Sequence, residues 1–189
     1  TMPSENNNAN TPSENEVFTD ISGHWAYDDI VTLNKKQIIN GFEDKTFRPE
    51  TCATRAEFVA MTIRAFGLKA DNAENIYSDV SDSDWFAEVT ASATALGVIN
   101  GDGSNFYPNN NITRQDAAVI IERALKCCGK TVGGDYGFSD EYLVAGYAKD
   151  AVHGLGAAGI MQGDGGAFRP NDFITRAEIA RLISNCLKY

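Results

Sequence analysis

The sequence is poor in the residues from which metal sites are most often built. Its 189 residues include two histidines and four cysteines. The cysteines form no C-x-x-C pair and no zinc-ligand spacing, so we predict neither a metal nor a cofactor. A chain of this length does not need a disulfide framework, and we expect the thiols to be mostly structural. The residues concerned are His24, His153, Cys52, Cys127, Cys128 and Cys186.

Long apolar runs and excess positive charge are also lacking. No run of about 20 apolar residues is present, so we predict no membrane insertion. Sixteen Lys and Arg stand against 26 Asp and Glu, which gives a net charge of −10 and a pI of about 4.6. This balance argues against nucleic acid or an anionic membrane as the main partner. Any anion that the protein binds must therefore be held by local cations.

Catalytic signatures are missing as well. The sequence has no Ser-His-Asp order, no H-E-x-x-H motif and no glycine loop that would cradle a phosphate, so we predict a protein that is not an enzyme. A calcium-binding module is a second alternative, because Asp102-Gly103-Ser104-Asn105 and Asp164-Gly165-Gly166 are rich in oxygen donors. Neither segment has the glutamate of an EF-hand loop, and Asp-Gly turn chemistry explains both.

The first 16 residues differ in composition from the rest. They contain five asparagines together with Ser, Pro, Thr and Glu, and almost nothing apolar. We predict a disordered linker over residues 1–16.

One four-residue motif occurs three times and defines internal repeats. Thr54-Arg55-Ala56-Glu57 returns as Thr113-Arg114-Gln115-Asp116 and as Thr175-Arg176-Ala177-Glu178, at intervals of 59 and 62 residues (113 − 54 and 175 − 113). Thr-x-x-Glu before an apolar run is a capping box, in which the hydroxyl and the carboxylate satisfy backbone N–H groups at a helix start. We assign structural capping to Thr54, Glu57, Thr113, Asp116, Thr175 and Glu178.

The same features precede each motif. An aromatic residue, Trp25, Trp85 or Tyr147, stands 16 residues before a glycine in every copy (41 − 25, 101 − 85 and 163 − 147). The aromatic opens a predicted first helix, which in the first copy runs from Trp25 to Ile39, and the Asn-Gly turn ends it. The first copy of the second helix runs to about Phe66 and ends at Gly67. We delimit the repeats at residues 17–70, 76–129 and 137–189.

The second helices share one apolar stripe. Phe58, Ala117 and Ile179 occupy the first position of this stripe in the three repeats. Within each helix, further positions of the stripe follow at i+3, i+4, i+7 and i+8. A lone pair of helices of about 50 residues cannot bury such a stripe, so the repeats must pack on one another. With three copies and no polar capping repeat, we expect either closure around a pseudo-threefold axis or an open stack.

An arginine occupies the first position of each second helix. The helix dipole makes a cation mildly unfavourable there, so stability alone does not select Arg55, Arg114 and Arg176. A guanidinium beside free N–H groups at a helix N-terminus can bind a carboxylate or a phosphate. We therefore predict an anion site at each arginine. We also expect that replacing any one of them by alanine leaves folding nearly intact.

The ordered motifs together resemble a known family. Phe-x-Asp, an aromatic at a helix start, turns such as Gly97-Val98-Ile99-Asn100-Gly101, then Phe-x-Pro and Thr-Arg-Ala-Glu resemble the S-layer homology (SLH) domain in tandem, over residues 18–188. The resemblance implies an all-α fold in which three helix-loop-helix repeats close into a pseudo-threefold spindle around a central three-helix bundle. We expect a monomer with an internal pseudo-trimer.

The resemblance also implies a function. SLH domains hold exported bacterial proteins at the cell wall by binding secondary cell-wall polysaccharide, commonly through pyruvylated N-acetylmannosamine, in grooves between repeats. It implies a secreted protein at the bacterial cell surface. On this basis the ligand-binding residues are Arg55, Arg114 and Arg176, joined by Trp25, Trp85 and Tyr147; the aromatic residues could instead be packed anchors of the first helices.

Departures from the family pattern leave alternatives open. Asp116 replaces the usual glutamate and Tyr147 the usual tryptophan, so we expect one or two functional grooves rather than three equal ones. A protein–protein module for surface-array assembly, or peptidoglycan binding without recognition of the ketal, are the competing functions.

Overall fold

Each repeat contributes a short first helix and a longer second helix. The computed structural model describes residues 17–189, so the linker predicted for residues 1–16 lies outside the described part. Two single-turn 3₁₀ helices, Glu141–Leu143 and Gly146–Ala148, precede the first helix of repeat 3. The six α-helices are α1 (Tyr27–Lys35), α2 (Arg55–Phe66), α3 (Ala87–Ala95), α4 (Arg114–Cys127), α5 (Lys149–Ala157) and α6 (Arg176–Lys188). Residues 17–189 contain isolated β-bridges but no strand, so the all-α class is confirmed.

The Thr-x-x-Glu motifs cap the second helices. In α2 the Thr54 hydroxyl accepts the Glu57 N–H at 3.2 Å and the Glu57 carboxylate accepts the Thr54 N–H at 2.8 Å. α6 carries the same reciprocal pair. In α4 the Thr113 hydroxyl accepts the Asp116 N–H. No return bond from the Asp116 carboxylate is present among the described residues, because aspartate is one methylene shorter than glutamate.

The first helices are shorter than the sequence predicts. α1 begins at Tyr27, two residues after Trp25, and ends at Lys35 rather than Ile39. Gln37 adopts a left-handed backbone with φ 59°, and the Ile38 N–H bonds back to the Leu33 carbonyl at 3.0 Å. This is a Schellman-type end, which hydrophobic periodicity does not reveal because Ile38 and Ile39 are buried beyond the helix.

Three backbone hydrogen bonds close the repeats around an axis. The Ala53 N–H donates to the Ile174 carbonyl, the Ile174 N–H to the Ile112 carbonyl, and the Ile112 N–H to the Ala53 carbonyl, at 3.1 to 3.2 Å. α2 packs against both α4 and α6 at the centre. Closure is therefore the observed arrangement, and an open stack is not.

The repeats interlock instead of folding as separate hairpins. α3 of repeat 2 packs on α2 of repeat 1, α5 of repeat 3 packs on α4 of repeat 2, and α1 of repeat 1 packs on α6 of repeat 3. Each first helix thus covers the apolar stripe of the neighbouring repeat. Burying that stripe is the main source of stability for short helices in water.

Aromatic residues fill the core at equivalent places. Phe47, Phe106 and Phe168, from the Phe-x-Pro segments, are fully buried. Each packs against the aromatic residue of its own Phe-x-Asp segment, Phe18, Tyr77 or Phe138, with ring centroids 5.4, 5.7 and 5.1 Å apart. Such tilted pairs contribute about 0.5–1.5 kcal/mol beyond area burial.

The four cysteines differ in exposure, and Cys52 is half-buried. Cys186 is buried in the core, where burial raises the pKa of its thiol to about 12, as expected of an inert structural thiol. Cys127 and Cys128 are exposed at the end of α4, and all four thiols are free. Core packing therefore does not explain Cys127 and Cys128. In the described range no helix is long and apolar enough to cross a bilayer.

Candidate functional site

Three equivalent grooves lie between the repeats. Groove 1 is lined by Gly41 and Glu57 of repeat 1, Trp85 of repeat 2 and Arg176 of repeat 3. Groove 2 has the same construction from Gly101, Asp116, Tyr147 and Arg55, and groove 3 from Gly163, Glu178, Trp25 and Arg114. All three repeats therefore contribute to every groove.

Their volumes suit a small ligand. The cavities measure about 210, 270 and 270 Å³ for grooves 1, 2 and 3. These values lie below the roughly 300–1,000 Å³ of pockets that enclose drug-sized molecules. Each groove can therefore hold only a small ligand or a small part of a larger one.

Two of the three predicted arginines are held by internal contacts. In groove 1 Arg176 donates from Nε to the Phe47 carbonyl at 2.8 Å, from Nη2 to the Asn40 carbonyl at 2.8 Å and from Nη1 to Glu57 at 3.2 Å. In groove 3 Arg114 makes the corresponding bonds to Phe168, Gln162 and Glu178. Three of the five N–H donors of each guanidinium are thus in use, which leaves two for a ligand.

Burial affects the pKa values of Arg114 and Arg176. Arg114 and Arg176 are 4% and 5% exposed. Desolvation lowers the pKa of each guanidinium, and the partner carboxylate, Glu178 or Glu57, acts in the opposite direction. Arginine is a cation in proteins at neutral pH, and both side chains are treated as charged.

Arg55 in groove 2 is held less tightly. It donates from Nε to the Phe106 carbonyl at 3.0 Å, but its Nη1 lies 4.0 Å from the Asp116 carboxylate. The Asp116 carboxylate instead accepts a hydrogen bond from the Tyr147 hydroxyl at 2.6 Å. The shorter acid in repeat 2 therefore leaves the groove 2 arginine with more unused donors.

The carbonyls that orient these arginines are positioned by an aspartate in each repeat. Asp140 accepts the Phe168 and Arg169 N–H groups, both at 2.7 Å. Asp20 and Asp79 each accept two backbone N–H groups of the equivalent segments at 2.7 to 2.8 Å. The residue between Phe and Pro has a left-handed φ of 58° to 60° in all three copies, a conformation that costs a non-glycine residue free energy. The Phe-x-Asp carboxylate stabilises that turn.

Within residues 17–189, the first amide groups of the second helices already have hydrogen-bond acceptors. The Arg55 and Ala56 N–H groups donate to the Asn110 and Pro108 carbonyls at 2.9 and 3.0 Å, and the Glu57 N–H donates to Thr54. α4 and α6 use their first amides in the same way. The expectation of free N–H groups beside the arginines is therefore wrong, because the neighbouring repeat occupies them. The side chains alone remain to meet an anion.

The three aromatic residues stand at the groove mouths. Trp25, Trp85 and Tyr147 are 53%, 61% and 63% exposed. They are not packed anchors; the buried neighbours Ala26, Phe86 and Ala148 fill the core at those places. An exposed ring beside a polar cavity can cover the C–H face of a sugar.

Sequence patterns missed part of the groove lining. Arg64 and Arg123, in α2 and α4, line grooves 1 and 2. Arg169, from the loop before α6, and Arg181 in α6 line groove 3. Their signal was the shared position of Arg64 and Arg123, seven residues after Glu57 and Asp116. The sequence identifies the groove glycines only as turn residues. At Gly163 a Cβ would lie 2.2 Å from the Ala167 carbonyl oxygen, so a side chain would displace the groove wall.

Comparison with known proteins agrees with this architecture. The family model of the S-layer homology domain matches residues 17–59, 76–118 and 137–180. The chain is 34% identical over 177 residues to an amylopullulanase of Thermoanaerobacterium thermosulfurigenes, covering 92% of this chain and 10% of that protein. It is 34% identical over 176 residues to the exoglucanase XynX of Acetivibrio thermocellus, covering 91% and 16%. It is 29% identical over 171 residues to the S-layer protein sap of Bacillus anthracis, covering 89% and 21%.

A closed three-repeat helical fold with inter-repeat grooves defines a binding module of the bacterial cell surface. The chain belongs to the S-layer homology domain family, and it carries the three tandem repeats that the motifs predicted. Its class is that of the cell-wall anchoring modules found in S-layer and cell-surface proteins. The chain spans a tenth to about a fifth of the length of the three relatives named. Among the described residues no cluster of three or more His, Cys, Asp or Glu could hold a metal ion.

Proposed function

We propose that this module anchors its parent protein by binding secondary cell-wall polysaccharide, with a pyruvylated N-acetylmannosamine unit in a groove. One observation carries the proposal: every groove sets a guanidinium opposite an exposed aromatic ring, in a cavity of monosaccharide size. The pyruvate ketal presents a carboxylate, which the arginine can meet with charge-assisted bonds of about 1.5–3 kcal/mol each. The ring of Trp25, Trp85 or Tyr147 covers the sugar.

The acidic chain supports a local rather than a global mode of recognition. With a net charge of −10 the molecule as a whole repels an anionic polymer. The lining residues of groove 1 include Arg64 and Arg176 against Glu57, which leaves a surplus of one positive charge within the cavity. Binding therefore depends on an acidic substituent entering the groove, and several weak sites on one rigid unit can add up through effective concentration.

Co-sedimentation with isolated cell-wall sacculi tests the proposal. The chain should pellet with intact walls and stay in the supernatant once the wall polymer, or its pyruvyl groups alone, has been removed. Unchanged sedimentation with stripped walls would mean peptidoglycan binding without ketal recognition.

A protein–protein module for surface arrays is the second outcome. For such a module we expect that the chain does not bind cell walls and that it self-associates as its concentration rises. Analytical ultracentrifugation on the same preparation distinguishes the two, since the anchoring module should sediment as a monomer.

A further inference from the structure

Two groove-lining arginines lack a polar partner within residues 17–189. Arg64 in α2 and Arg123 in α4 make no ion pair or hydrogen bond through their side chains in the part of the chain that the structure describes. Each lies two turns after the acidic residue of its repeat, Glu57 or Asp116, and lines the same groove. At the equivalent position in α6 stands Asn185, which donates to the Ile160 carbonyl at 3.1 Å.

The other charges of these grooves are already matched. Glu57 accepts from both the Thr54 N–H and Arg176. Asp116 accepts from Tyr147 and lies 4.0 Å from Arg55. Arg64 is exposed and Arg123 is half-buried. They therefore carry the uncompensated positive charge of grooves 1 and 2, with all five guanidinium donors of each unused.

Groove 3 differs in two respects. It has two further arginines, Arg169 and Arg181, and both are ion-paired. Arg169 lies 3.1 Å from the Glu178 carboxylate and 3.9 Å from that of Asp172. Arg181 is ion-paired through Nε to Asp29 and donates from Nη2 to the Trp25 carbonyl at 3.2 Å. The Arg181 guanidinium also lies over the Trp25 indole, 5.4 Å from its centroid. The ion pair with Asp29 therefore offsets the charge of Arg181, and the guanidinium occupies one face of the Trp25 ring that could otherwise contact a sugar. No cation covers Trp85 or Tyr147 among the described ring contacts.

We propose that Arg64 and Arg123, rather than the capping-box arginines alone, are the primary contacts for the acidic substituent of the ligand. Grooves 1 and 2 bind a sugar carboxylate, and groove 3 does not. The inference rests on the proposed function, because it assumes that a carboxylate-bearing sugar enters the grooves. Arg55 and Arg176 then orient the sugar from the groove floor.

Isothermal titration with the methyl glycoside of pyruvylated N-acetylmannosamine tests the assignment, with the unsubstituted glycoside as the probe without charge. The wild-type chain should bind about two equivalents. Arg64→Ala and Arg123→Ala should each weaken one site by at least about tenfold, as expected for one lost charge-assisted interaction. The double variant should show no measurable heat. Arg64→Lys and Arg123→Lys should retain part of the affinity, since they keep the charge but lose the planar fork.

Lys36→Ala is the matched control, because it removes one exposed positive charge outside the grooves and should bind like the wild type. Wild-type binding that persists unchanged in the double variant would overturn the arginine assignment and leave the proposed function standing. Three equivalents in the wild type would overturn the exclusion of groove 3. Absence of binding by the wild-type chain to both the glycoside and intact walls would overturn the proposed function, and this inference with it.

Discussion

At the scale of single residues, the capping-box arginines combine two roles. Arg114 and Arg176 sit at the groove floors, yet each satisfies two backbone carbonyls and one carboxylate from other parts of the chain. Removing a buried cation leaves those acceptors unpaired, which costs more than the pair itself contributes. The expectation that alanine substitution leaves folding nearly intact therefore changes for these two residues.

Arg176→Ala should lower the free energy of unfolding by about 3–5 kcal/mol, the range for breaking a buried ion pair. Arg55→Ala, which loses one carbonyl contact and a long ion pair, should lower it by about 1–2 kcal/mol. Arg64→Ala is the matched control on the groove surface and should stay within about 0.5 kcal/mol of the wild type. Urea denaturation measures all three, and equal stabilities for Arg176→Ala and Arg64→Ala would contradict the contact scheme.

Tyr147 gives a pH-dependent prediction. Burial, and then the hydrogen bond to Asp116, raise the pKa of Tyr147 to about 12. A folded-state pKa above the unfolded value of about 10 means that the contact stabilises the fold fully below about pH 10. That contribution is lost as the pH rises through about 12.

Absorbance at 295 nm should detect a late-titrating phenol component that becomes smaller in Tyr147→Phe. The part that remains is expected from Tyr107, because its hydrogen bond to Asp102 also raises the pKa of that phenol. In Asp116→Asn the Tyr147 component should titrate at lower pH, because the acceptor charge is gone. A titration of Asp116→Asn identical to the wild type would argue against this hydrogen bond.

At the scale of elements, the loops before the second helices depend on one acid per repeat. Asp140 accepts two N–H groups at the turn whose central residue, Arg169, has a φ of 59°. The same turn supplies the Phe168 carbonyl to Arg114 at 2.8 Å. The aspartate therefore positions a groove arginine that it does not touch.

Asp140→Ala should destabilise the protein by about 1.5–3 kcal/mol, because two backbone donors lose a charged acceptor. Glu141→Ala removes the neighbouring exposed charge and should change the stability little. Thermal denaturation provides the comparison. A smaller loss for Asp140→Ala than for Glu141→Ala would show that the aspartate does not stabilise the turn.

At the scale of the whole molecule, closure makes the repeats interdependent. Each first helix packs on the second helix of another repeat. The first amide groups of each second helix donate hydrogen bonds to carbonyls of a neighbouring repeat. No repeat can unfold without exposing the apolar stripe of another. The chain should therefore unfold in one cooperative transition.

The two tryptophans report on this cooperativity, because Trp25 lies in repeat 1 and Trp85 in repeat 2. Trp25→Phe leaves Trp85 as the only indole, and Trp85→Phe leaves Trp25. In each variant, the midpoint of the fluorescence melt should equal the midpoint measured by far-ultraviolet circular dichroism. A fluorescence midpoint that departs from the circular dichroism midpoint would indicate that one repeat unfolds separately.

Features governed by near neighbours in the chain were readable from the residue order. The three repeats, the caps of α2 and α6, the end of α2 at Gly67 and the apolar stripes depend on residues within about one or two turns, so local chemistry specifies them. The six candidate binding residues also line the three grooves, since each was identified by its place in a recurring motif. The ends of the first helices were misjudged because a left-handed residue, Gln37, interrupts an apolar pattern that continues past it.

Only the tertiary structure determines the contacts between repeats that lie far apart in the sequence. The contacts that hold Arg114 and Arg176 join residues 64 and 119 positions apart, and no local pattern encodes them. The same holds for the lack of partners at Arg64 and Arg123 among residues 17–189, and for the position of Arg181 over Trp25. Each groove draws on three repeats, so its charge and accessibility exist only once the ring of backbone hydrogen bonds has closed.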